Sequence, residues 1–80
     1  MNNYSINDLK SDIDSGMDIE FVYDGIRFGI YPFHPDGISI YIQESGVEDV
    51  YPSVDELLDK HLLNGSKISD VIDKIELTLH

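Results

Sequence analysis

The chain is 80 residues long, has no cysteine, and carries sixteen acidic residues against five basic ones, a formal net charge of −11. That length makes one small domain over residues 1–80, held by apolar packing because neither a disulfide nor a cysteine zinc site can contribute. The excess of carboxylates opposes direct binding to nucleic acid or to an anionic membrane, both of which select basic surfaces.

No stretch approaches the roughly 20 apolar residues of a membrane span. The opening Met1-Asn2-Asn3-Tyr4-Ser5 lacks the basic and apolar regions of a secretory signal. A cytoplasmic protein is the expectation.

Ser5 followed by Asp8 resembles a capping box, and Ile6, Leu9 and Ile13 then form one apolar helical stripe. Gly16 stands where a C-terminal left-handed glycine belongs. Asp8 and Asp12 lie off the stripe. Next come two alternating runs, Ile19 to Tyr23 and Ile26 to Tyr31, separated by Asp24-Gly25. Asp-Gly between such runs marks a type I′ hairpin, because both central residues need positive φ. A two-residue loop sets the register: Tyr23 opposite Ile26, Phe21 opposite Phe28, Ile19 opposite Ile30. All six share one face, and Glu20, Val22, Arg27, Gly29 and Tyr31 share the other.

Pro32 and Pro35 predict a loop wider than a tight hairpin, holding Phe33 and His34. Ile38 to Gln43 alternates as a third strand with three isoleucines inward. Ser45-Gly46 marks a turn, and Val47 to Tyr51 a short fourth strand. Ser53-Val54-Asp55-Glu56 reads as a full capping box. The helix it opens puts Val54, Leu57, Leu58, His61 and Leu62 on one face, and Asn64-Gly65 is expected to end it. A last short helix is expected from Ser66, with Ile68, Val71, Ile72 and Ile75 inward. The tail from Ile75 to Leu79 alternates like an edge strand. The fold class expected is α+β: a small antiparallel meander of three to five strands with two to three helices on one face, in the order α-β-β-β-(β)-α-α-(β).

Searching for chemistry yields little. His34, His61 and His80 lie apart, without a second ligand at metal spacing. His61 reads as a partly buried histidine near a helix C-terminus, interacting with its dipole. Asp12, Asp14, Gly16, Asp18 and Glu20 invite a calcium reading. An EF-hand register counted from Asp12 fails, because it puts Gly, Met and Tyr where an acid, Gly and Glu belong. The serines read as caps or turns, and the dispersed glycines build no phosphate-cradling loop. No enzyme, cofactor or metal is expected.

Two surfaces remain. One is acidic: Asp8, Asp12, Asp55, Glu56, Asp59, Asp70 and Asp73 project opposite the apolar stripes. Carboxylates so arrayed can imitate a phosphate backbone, or simply be solvated. The other is the open sheet face, with Val22, Tyr31 and Tyr41 around Gly29 and Arg27.

The run Ser15 to Gly25, the run Ser53 to Leu58, and Asn64-Gly65 with Ile68 together cover about half the chain. They resemble small acidic proteins of Gram-positive bacteria and their phages or prophages. The resemblance brings no active site. It implies an acidic inhibitor, a DNA mimic or an anti-CRISPR-like protein. The expectation is therefore a small acidic binding protein that engages a protein with a basic surface, with a phage-encoded inhibitor of a nucleic-acid-binding protein as the concrete case. The alternative is a protein-interaction or structural domain whose charge only solubilises it. Direct nucleic-acid and membrane contact are not expected, and a homodimer stays open.

Overall fold

A computed structural model describes residues 4–79. In chain order the elements are α1 (Ile6–Asp14), β1 (Ile19–Tyr23), β2 (Ile26–His34), β3 (Gly37–Ile42), β4 (Glu48–Tyr51) and α2 (Val54–Lys60). Then follow β5 (Leu62–Leu63), β6 (Ser66–Lys67), α3 (Ile68–Val71), a 3-10 turn over Ile72–Lys74, and β7 (Glu76–Leu79). Five antiparallel strands form one sheet in the order β4-β3-β2-β1-β7, and β5 and β6 pair as a separate small hairpin. No helix among the described residues is long and apolar enough to cross a membrane.

The expected α+β architecture, with its helices on one face of an antiparallel sheet, is the one found. The first hairpin has the register that its two-residue turn demands, with Ile19, Phe21 and Tyr23 opposite Ile30, Phe28 and Ile26. Asp24 and Gly25 both adopt positive φ, at 53° and 77°. The Phe21 and Phe28 rings stack with centroids 5.2 Å apart. Ile19, Phe21, Phe28, Ile30 and Ile40 cover the inner face of the sheet. Leu9 and Ile13 of α1, Val54, Leu57 and Leu58 of α2, and Ile68 and Val71 of α3 close the core over them. Burying each such side chain is worth roughly 1.5–3 kcal/mol. Leu77 extends this face, opposite Phe21 on the edge strand β7.

Three local expectations are corrected. The prolines do not make a wide loop. Strand β2 runs through Pro32 to His34, the irregularity is taken up between Tyr31 and His34, and Pro35 and Asp36 alone make the turn. Pro32 is tolerated because the ladder is already broken at that irregularity. Asn64-Gly65 does not stop a helix. Helix α2 ends at Lys60, His61 is extended, and Asn64 (φ 51°) and Gly65 (φ 88°) are the turn of the β5–β6 hairpin. The same turn chemistry is at work as in Asp24-Gly25. Ser66 therefore lies in a strand and does not cap α3, whose N-cap is Lys67 with no side-chain hydrogen bond.

The two caps also exchange character. Ser5 and Asp8 form a reciprocal box, each side chain accepting from the other residue's N–H at 3.1 and 3.0 Å. Ser53 accepts from the Glu56 N–H at 3.2 Å, whereas the Glu56 carboxylate turns to Lys60.

Candidate functional site

The helices leave the second face of the sheet open, and the register across the strands decides what stands there. Tyr41 is opposite Gly29 on one side and Glu48 on the other, and Gly29 is opposite Glu20. Glu48, Tyr41, Gly29 and Glu20 thus form one row across four strands. A second row runs Val50, Ser39, Tyr31, and a third pairs Arg27 with Val22 and Val22 with Glu76. Val22, Arg27, Tyr31 and Tyr41, expected on this face, are all there.

Tyr41 lies over Gly29, in space that a Cβ at position 29 would need. Glu48 accepts a hydrogen bond from the hydroxyl of Ser39, the one buried polar residue among those described. Glu20 accepts from the Gln43 amide at 3.1 Å. Burial raises the pKa of the Tyr41 phenol, and the negative field of Glu20, Asp18 and Glu48 adds to it. Tyr31 stays 42% exposed and meets the edge of Phe33, itself 62% exposed, at a centroid distance of 5.8 Å. Phe33 also covers the backbone of Gly16, whose missing Cβ would come within 2.7 Å of its ring. Arg27 is paired with Glu44 at 2.7 Å.

The helix acids have a different setting. Lys10 meets Asp55 at 3.0 Å, Lys60 meets Glu56 at 2.5 Å, and Lys67 meets Asp59 at 3.3 Å. Three of the chain's four lysines are therefore set against α2. Asp12 accepts from the Tyr4 hydroxyl at 2.5 Å, and Asp8 is held in the α1 cap. Asp70 and Asp73 are exposed on α3 and the turn after it, with no ion pair among the described residues. The seven acids expected to act together are thus not one free layer.

Residue reading missed a polar cluster beside the core. The Tyr51 hydroxyl lies 3.0 Å from Nδ1 of His61, and the Asp49 carboxylate lies 3.7 Å from the same nitrogen. Burial lowers the pKa of His61, and Asp49 opposes that shift in part. The Tyr51 hydroxyl and Nδ1 of His61 share one hydrogen bond, whose donor is set by the imidazole tautomer. The residues come from β4 and from the end of α2, so no sequence spacing announces them. Among the described residues no three His, Asp or Glu side chains converge as a metal site.

Compared with protein-family models, with curated proteins and with solved structures, the chain matches none.

Proposed function

We propose that this protein is an acidic binding domain that engages a basic protein surface through its open sheet face. Tyr31, Phe33 and Tyr41 supply the apolar centre, with Glu20, Glu48 and Glu76 around them. The observation that carries the reading is the distribution of ion pairs: Lys10, Lys60 and Lys67 pair with the acids of α2, while Glu20, Glu48 and Glu76 of the open face make no ion pair among the described residues. Glu48 and Glu20 stand three strand spacings apart, about 14 Å, on either side of Tyr41. Arginine side chains suit such a face, because the guanidinium both stacks on aromatic rings and pairs with carboxylates. The resemblance to small acidic phage proteins puts a nucleic-acid-binding protein first among partner classes.

A DNA mimic built on the helix acids is the second reading. It is favoured only by Asp70 and Asp73, which are exposed and make no ion pair among the described residues.

The test is a kinetic series against the protein co-purified from the native host at low salt. Tyr31→Ala and Tyr41→Ala should speed dissociation, and Glu20→Lys and Glu48→Lys should slow association. Asp55→Lys, Glu56→Lys and Asp59→Lys should change little. The reverse pattern would move the binding surface to the helices.

A further inference from the structure

At the end of the sheet that carries the Asp24-Gly25 turn, a cavity of about 250 Å³ opens between the sheet and the β5–β6 hairpin. Phe28, Ile40 and Ile42 line its apolar interior. Ile26, Val47 and Leu62 also line it and remain 39%, 58% and 53% exposed. These three aliphatic side chains come from separate parts of the chain, yet they surround one opening. Leu62 is there because α2 stops at Lys60, so it leaves the helical stripe and stands on the hairpin.

The polar wall has a definite sign. Asp49, His61 and Asn64 contribute to it. The Asp49 side chain is 57% exposed and has no Lys or Arg within ion-pair reach among the described residues. His61 beside it is already engaged by the Tyr51 hydroxyl. Asn64 holds a second carboxylate, Asp24, at 3.0 Å. Among the described residues no lysine or arginine lines the cavity. Its volume falls below the roughly 300–1,000 Å³ of small-molecule sites and suits one large side chain.

We propose that this cavity is a docking site for a peptide segment of a partner protein, one that inserts a large aliphatic or aromatic side chain among Ile26, Val47 and Leu62 and sets an adjacent Lys or Arg against Asp49. Apolar anchor and cation match the lining and its charge together. A second copy of the chain is a poorer occupant, since two molecules of net charge −11 repel. Of its lining, Tyr41 alone belongs also to the open sheet face, and the proposal does not rest on that face's binding a partner.

The experiment titrates short capped peptides with a central Leu-Arg, Phe-Lys, Leu-Glu or Ser-Arg pair into isotope-labelled protein and follows the backbone amides. Leu-Arg and Phe-Lys should give saturable shifts at Ile26, Val47, Asp49 and Leu62. Leu-Glu and Ser-Arg should bind about tenfold more weakly. Val47→Glu should weaken the Leu-Arg peptide, and Asp49→Lys should turn the preference toward Leu-Glu, each with the parent's amide dispersion retained. Asp36→Asn, in the turn at the opposite end of the sheet, should leave every titration unchanged. Absence of saturable shifts at the four positions would overturn the proposal. So would equal binding of Leu-Glu and Leu-Arg, or shifts that follow protein concentration without peptide, which would make the occupant a second copy.

Discussion

Tyr41 on β3 occupies the volume that a side chain at position 29 of β2 would need: a Cβ on Gly29 would overlap Cζ and the hydroxyl oxygen of Tyr41. Gly29 is absent from the positive-φ glycines, so it serves space and not backbone conformation. Gly29→Ala should therefore push aside the far end of the Tyr41 side chain and destabilise by roughly 0.5–1.5 kcal/mol, the cost of driving that ring off its rotamer. In a Tyr41→Ala background the same change should be near neutral or favourable, since glycine costs a strand roughly 0.5–1 kcal/mol relative to alanine. Denaturant unfolding of the four proteins measures the coupling, and equal penalties in both backgrounds would show that the ring does not require the glycine.

The Asp24-Gly25 turn isolates a conformational cost. A Cβ on Gly25 would have nothing within 4 Å, so only its φ of +77° resists substitution. Gly25→Val should cost more than about 1 kcal/mol, because a β-branched residue disfavours the left-handed region. Gly65, also in open space at φ +88°, should behave alike in the smaller hairpin. Unfolding free energies unaffected by Gly25→Val would remove the type I′ turn as the determinant of register.

The caps make a comparative prediction. Ser5→Ala and Ser53→Ala should each destabilise by roughly 0.5–2 kcal/mol, since each leaves a helix N–H without its side-chain acceptor. Asp8→Ala should also cost α1 its returning hydrogen bond to the Ser5 N–H. Glu56→Ala should cost less, because it removes only an exposed ion pair to Lys60, and such pairs contribute little. Melting curves of the four variants decide the order; a Glu56 variant as impaired as the Asp8 variant would show a reciprocal box at α2 as well.

His61 predicts a pH dependence with a definite sign. Burial holds its pKa below the ordinary imidazole value of 6.5. Above that value the folded and unfolded chains both carry a neutral ring, and this group leaves stability flat. As pH falls through 6.5 toward the lowered folded value, the unfolded chain takes up the proton first and the folded state loses stability. The loss is complete below the folded value. His61→Gln, which keeps a hydrogen-bonding partner for the Tyr51 hydroxyl, should flatten the melting temperature between about pH 7.5 and 5.5. A variant that declines in parallel with the parent would assign the slope to other groups.

The elements whose determinants are local were legible in the residues. Asp24-Gly25 forces positive φ twice and so sets the pairing of Phe21 with Phe28, whatever surrounds it. The apolar stripe of Leu9 and Ile13 and the alternation of Ile38, Ile40 and Ile42 likewise follow from the period of one helix and one strand. Asn64-Gly65 shows where local reading stops. The dipeptide suits both a helix stop and a hairpin, and the pairing of Leu62 with Lys67 chose the hairpin, which released Leu62 to the surface. The charges were decided at longer range still. Asp55 and Glu56 are equally acidic in the sequence, but α1 brings Lys10 to the first, while Lys60 reaches the second from one helical turn away. The row of Glu48, Tyr41, Gly29 and Glu20 requires three separate strand pairings to fall into register. The gathering of Ile26, Val47 and Leu62 around one cavity requires the β5–β6 hairpin to sit beside the sheet. Backbone conformation and hydrophobic period act over a few residues, whereas charge pairing and surface apposition act across the whole chain, which only the packed structure defines.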